Sequence, residues 1–232
     1  MLRVLALCAL FLTAACAATP RDITITPTSD VGLVVVAVEP PQDLAEAARY
    51  TLVVSQFDPD SRTLPLGSMA GIEAQSAAVR ERTYLVGQAR PGVYVLSALK
   101  VSAWGLCYNG GTVRFDVRPG EVTVVGLFDP NPSLTDLTRA VIRGEVPASA
   151  PYNEHHYVFD TPRPNVTNID EIEGWEEGVN TYLSANFPNV AAPVRAATLE
   201  PAIFGTGRSL HGLTKLCGGY YSSSPEADAP AS

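Results

Sequence analysis

The stretch GTVRFDVRPGEVTVVGLFDP, residues 111–130, decides how the chain reads. Within it Val113, Phe115 and Val117 fall on one face of an extended segment and Arg114, Asp116 and Arg118 on the other. That period of two marks a strand with one buried side. Pro119-Gly120 supplies the fixed φ and the positive φ that a tight turn requires, and the β-branched run 122–125 follows. The spacing predicts a hairpin turning over residues 118–121.

Working outward, short β-branched and aromatic runs recur at 23–26, 32–38, 49–57, 83–88 and 93–101, punctuated by Pro91-Gly92 and Asn109-Gly110-Gly111. Short strands at such intervals predict a mainly β fold, an antiparallel β-sandwich over residues 29–130. Val34-Val35-Val36 lacks alternation, which predicts a strand buried on both faces or central in its sheet. Two runs end in similar wording, Val53-Val54-Ser55-Gln56-Phe57-Asp58-Pro59 and Val124-Val125-Gly126-Leu127-Phe128-Asp129-Pro130. We read the shared ending as Asp-Pro initiating a turn after each strand, not as a duplicated half-domain.

The character changes after Asp129. Ser133 as N-cap, Asp136 three residues on and Gly144 as stop predict a short helix over 133–144, with Leu134, Leu137, Val141 and Ile142 as its buried stripe. A second helix is predicted over 170–187, with Ile172, Trp175, Val179, Tyr182 and Leu183 at helical spacing and Pro188 ending it. Gly174 and Gly178, four apart, leave room for a close neighbour. Residues 131–221 thus read as a smaller C-terminal region containing two short helices. The Ser/Pro/Ala-rich tail 222–232 is expected to be disordered.

At the other end, Arg3 precedes an apolar run from Val4 to Leu12 and the small residues Thr13-Ala14-Ala15. That is the order of a processed export signal over residues 1–15. The run is shorter than the ~20 apolar residues that cross a bilayer as a helix. Leu12-Thr13-Ala14-Ala15-Cys16 resembles the bacterial lipobox, in which the cysteine is acylated and becomes the mature N-terminus. The resemblance implies a bacterial lipoprotein anchored to the bilayer through Cys16. Each buried CH₂ of an acyl chain contributes ~0.8 kcal/mol, so several chains together hold firmly. Ala17 after the cysteine favours the outer membrane under the sorting rule that goes with the lipobox. Residues 16–28, with Pro20 and Pro27, then form a short tether.

Loss of Arg3 with the signal takes the net charge from -8 to -9, which argues against nucleic acid as a partner. Of the four cysteines, Cys107 and Cys217 remain in the mature fold. Exported thiols usually pair, and a bridge closing a loop of about a hundred residues is worth on the order of 4 to 5 kcal/mol in the chain-entropy model. Two buried unpaired thiols are the alternative. Each cysteine stands singly, without the C-x-x-C spacing of zinc sites.

Arg90-Pro91-Gly92-Val93-Tyr94-Val95-Leu96 and 111–126 together resemble the PG-x-Y-x-L and F-x-V-x-PGE patterns of prealbumin-like or carboxypeptidase-regulatory-like sandwiches in bacterial lipoproteins. The resemblance spans about residues 83–128. It implies a fold and carries no functional residue across.

Side chains able to do chemistry are few. Glu154, His155 and His211 would form a metal-binding or hydrolytic site if the fold brought them together, but His155 and His156 are adjacent and point apart on a strand. Ser209 lacks the glycine of a nucleophile elbow, and Gly205-Thr206-Gly207-Arg208 lacks the length and lysine of a phosphate loop. Asp170, Glu171, Glu173, Glu176 and Glu177 read as an acidic first turn facing solvent. No cofactor is expected. The sequence therefore predicts an outer-membrane lipoprotein facing the periplasm, a non-enzymatic structural or interaction module whose partner is another envelope protein or glycan. The alternative is a periplasmic metal-binding protein or hydrolase using Glu154, His155 and His211.

Overall fold

The computed structural model describes residues 23–40, 50–65, 69–74, 83–101, 104–144, 156–159, 162–205, 207–208, 213–217 and 219–222. The strands of the first part are β1 (Gly32–Val38), β2 (Tyr50–Gln56), β3 (Met69–Ala74), β4 (Thr83–Ala89), β5 (Gly92–Val101), β6 (Trp104–Cys107), β7 (Thr112–Val117) and β8 (Val122–Asp129). Helix α1 (Asn131–Arg143), β9 (His156–Val158), β10 (Asn165–Thr167), α2 (Trp175–Asn186), β11 (Val194–Ala196) and β12 (Glu200–Ala202) follow. The last strands are β13 (Gly207–Arg208), β14 (Leu213–Leu216) and β15 (Gly219–Ser222), which pair antiparallel with one another.

The fold is a β-sandwich with two short helices. The first sheet runs β10-β8-β1-β4, with β11 also on β8; the second runs β12-β7-β5-β2-β3, with β6 on β5 and β9 on β6. Pairing is mostly antiparallel, but β1 lies parallel to β8. The C-terminal region supplies strands to both sheets, since β10 and β11 share one edge of β8 and β12 extends the second sheet beyond β7.

The expected hairpin over 118–121 is an arch instead. Strands β7 and β8 form with the expected alternation in β7, yet they belong to different sheets. The turn therefore carries the chain across the sandwich. The chain approaches closely from outside it: the Gly120 N–H donates to the Val31 carbonyl at 2.9 Å, and at φ 66° a Cβ on Gly120 would strike the Pro27 carbonyl. With the N-terminal segment packed here, β8 is drawn beside β1 rather than back along β7.

Three central strands, β1, β8 and β5, bury both faces. Along β1, Val34, Val36 and Val38 enter the core between the sheets, while Leu33, Val35 and Ala37 enter a second cluster outside the first sheet. On β8, Val125 and Phe128 point in and Val122, Val124 and Leu127 point out, a change of parity made by an extra residue in β8 opposite Val36. On β5 the bulge lies at Ser97: Tyr94, Leu96 and Leu99 face the central core, Val95 and Ala98 a third cluster outside the second sheet. A bulge shifts alternation by one residue.

The non-alternating valines thus occupy a doubly buried strand between β4 and β8, as their pattern predicts. The outer cover of the first sheet is α2 with Ile25, Ile169 and Phe187. Val179 and Leu183 of α2 are buried and Ile172, Trp175 and Tyr182 flank them, the expected stripe. The helix begins at Trp175 rather than 170, because Gly174 turns left-handed at φ 69° and separates it from a 3-10 turn at Ile169–Glu171. Gly178 admits the Tyr84 hydroxyl, which lies 2.6 Å from where a Cβ would stand.

Helix α1 starts before Ser133. The Asp129 carboxylate accepts the Asn131 N–H at 2.9 Å, and Ser133 is buried inside the first turn, sharing a hydrogen bond of 2.9 Å with the Tyr108 hydroxyl. Gly144 ends the helix at φ 67° as expected. Leu134 and Leu137 join the central core with Val141 beside them, but Ile142 is 79% exposed and Ala140 takes the buried place. Asp58-Pro59 starts a turn, its carboxylate accepting the Asp60 N–H at 3.0 Å, whereas Asp129-Pro130 leads straight into α1, its carboxylate accepting the Asn131 N–H. Their phenylalanines diverge, Phe57 to the outside of the second sheet and Phe128 to the core.

Replacing Phe128 by Ala is expected to cost about 3 to 5 kcal/mol in urea denaturation, as loss of a buried aromatic does. Ile142→Ala, on the open side of α1, is expected to stay within about 0.5 kcal/mol.

Candidate functional site

Cys107 ends β6 and Cys217 follows β14; both are fully buried and stand at disulfide distance, with Cα atoms 5.6 Å apart across 110 positions. They sit in the outer cluster of the second sheet, among Val53, Val95, Ala98, Phe57, Tyr157 and Phe204. Of the two alternatives the sequence leaves open, a bridge or two unpaired thiols, this spacing is the one a bridge requires. It brings Cys217 against the apolar outer face of the second sheet. Burial pushes the Tyr157 phenol well above its ordinary value.

Cys16 lies outside the described residues, as do Glu154, His155, Ser209 and His211. Of the histidine pair only the His156 backbone is described, as the first residue of β9 pairing with Trp104. Among the described residues no group of three or more His, Cys, Asp or Glu is placed to hold a metal ion. Asp170, Glu171, Glu173, Glu176 and Glu177 are exposed around the start of α2. That placement favours the helix N-terminus electrostatically.

The structure adds a site that the sequence does not announce. A groove of about 650 Å³ opens on the outside of the second sheet, where three arginines from distant parts of the chain, Arg62, Arg114 and Arg163, meet. Arg62 comes from the loop after β2, Arg114 from β7, and Arg163 from the segment leading to β10. Phe57, Val113 and the 58% exposed Ile203 supply apolar surface.

Contacts between remote segments knit the rim. The Gly205 N–H donates to the Arg62 carbonyl at 2.8 Å and the Phe204 N–H to the Asn109 carbonyl at 3.3 Å. Arg114 donates through Nε at 2.8 Å, and through Nη2, to the Glu200 carboxylate of β12. Arg163 lies over the Gly110-Gly111 turn and donates to the Gly110 carbonyl. The absence of a side chain at Gly111 leaves room for the guanidinium, which a Cβ there would push aside. Arg62 holds a left-handed backbone at φ 54°, unusual for a residue with a side chain.

Electrostatically the groove stands out against a chain of net charge -8. Among the described residues Arg62 and Arg163 have no carboxylate partner, whereas Arg114 is held by Glu200. The nearby Asp58 carboxyl is held below its usual value by the Ser61 hydroxyl and the Ser61 and Asp60 N–H groups, so it stays ionised and occupied inside its own turn. Chemically the arrangement can bind an anion; among its described lining residues it offers no nucleophile paired with a general base.

A second concavity of about 210 Å³ lies between α1 and β6, lined by Val101, Trp104, Leu134, Leu137, Val141 and Ile142. It is apolar. No protein-family model, no curated protein and no solved structure matches the chain.

Peptide mapping without reductant is expected to recover the Cys107 and Cys217 peptides linked, and Cys217→Ser to lower stability by about 2 to 5 kcal/mol. Separate, freely alkylated peptides from the untreated protein would contradict the pairing.

Proposed function

We propose that the protein is a lipid-anchored component of the bacterial envelope, held on the outer membrane through acylated Cys16 and facing the periplasm. It works as a non-enzymatic interaction module for another envelope protein or a glycan. The observation that carries this is the place of Cys16, directly behind a short apolar run that begins with a basic residue and ends in small ones. The Cys107 and Cys217 pair supports it, because such bridges persist in oxidising compartments such as the periplasm. The two-sheet architecture agrees with the prealbumin-like resemblance of residues 83–128.

The described N-terminal segment packs through Ile23 and Ile25 on the outside of the first sheet, whereas the arginine groove opens on the outside of the second.

Metabolic labelling with an alkyne fatty acid, followed by membrane fractionation, tests the anchor. The wild-type chain is expected to take label at a mature N-terminal Cys16 and to sediment with outer membranes. Cys16→Ser is expected to lose the label and appear in the soluble fraction. An unlabelled wild-type chain retaining Met1 in the cytosol would overturn the reading.

A further inference from the structure

We propose that the arginine groove on the outside of the second sheet is a binding site for a ligand bearing oxyanion groups, carboxylate or phosphate, with Arg62 and Arg163 as its recognition residues. A guanidinium presents a planar fork of donors that matches either oxyanion, and such charge-assisted hydrogen bonds are stronger than neutral ones. Arg62 and Arg163 have no carboxylate partner among the described residues. Each is nonetheless positioned. Arg163 lies over the Gly110-Gly111 turn, donating to the Gly110 carbonyl in the space that the missing side chain of Gly111 leaves. Arg62 holds its left-handed conformation while its carbonyl accepts the Gly205 N–H. Residues kept in sparsely populated backbone regions gather at ligand sites, where the surroundings over-determine them.

Arg114 shows what the site prefers. It is already held by a carboxylate, that of Glu200, inside the same groove. A carboxylate or phosphate on a ligand would meet Arg62 and Arg163 in the same chemistry, while Ile203 and Val113 offer apolar surface to the rest of the molecule.

The inference deepens the reading of the domain as an interaction module and does not depend on the anchor. A chain that fractionates as soluble can still bind, and an anchored one can fail to. The experiment is isothermal titration of the full chain, purified in non-ionic detergent from whichever fraction holds it, with citrate in one arm and inorganic pyrophosphate in the other, at low salt. Saturable one-to-one binding in at least one arm is expected, and the stronger arm identifies the oxyanion class. Arg163→Ala and Arg62→Asn are each expected to weaken that binding about tenfold or more, the worth of one charge-assisted hydrogen bond. Asn tolerates the left-handed backbone, so Arg62→Asn removes the guanidinium without new strain. Arg139→Ala, at the exposed Asp136 pair of α1, removes the same charge elsewhere and is expected to leave binding within twofold. Near-ultraviolet circular dichroism checks that every variant keeps its fold. No saturable binding in either arm, no loss in folded Arg62 and Arg163 variants, or an equal loss in Arg139→Ala would overturn the proposal.

Discussion

Strands that bury both faces need cover on both, and that constraint organises this molecule. β1 and β8 in one sheet and β5 in the other place apolar side chains alternately toward the central core and toward the outside. A plain two-sheet sandwich would leave those outer side chains in water, at roughly 25 cal/mol for each Å² of apolar surface. The C-terminal region answers this on both sides. Helix α2 and Phe187 close the first sheet, and the segment holding Phe204 and Cys217 closes the second. The described elements of the C-terminal region are therefore part of how the sandwich is built.

The Cys107 and Cys217 pair has a matching logic. It lies in the layer that covers the second sheet, and it ties residue 217 to the strand that end of the chain protects. A cover made of short strands and loops has little cooperative stability of its own. Joining it covalently to β6 restrains the unfolded chain as well as the folded one. Export into an oxidising compartment, the reading favoured by Cys16, would allow such a bridge to persist.

The arginine groove is a by-product of the same layering. Where the covering segment crosses the edge of the second sheet, Arg62, Arg114, Arg163 and the residues after β12 converge. These four pieces lie far apart in the sequence, and no spacing rule joins them. The one sequence signal that would have pointed there is the Asn109-Gly110-Gly111 turn. Its second glycine leaves the space in which the Arg163 guanidinium lies. The residues singled out for chemistry from the sequence, Glu154, His155 and His211, fall outside the described residues, and Cys16, which carries the proposed anchor, is legible only as a sequence pattern.

What the sequence by itself determined is local. Period-two alternation in β7, the uninterrupted valines of β1 and the helical stripe of α2 each follow from which side chains meet water within a few residues, and the Asp58-Pro59 turn from its own residues. Tertiary structure decided the rest. The turn at 118–121 had the chemistry of a hairpin, yet the N-terminal segment packed against Gly120 and the pairing of β8 with β1 made it an arch. The bulges at Ser97 and in β8 opposite Val36, the start of α1 at Asn131, and the meeting of three arginines likewise depend on contacts between distant segments. Local preference sets the element; long-range burial and pairing choose its partner, because each of those terms outweighs the fraction of a kcal/mol by which a turn or cap prefers one neighbour over another.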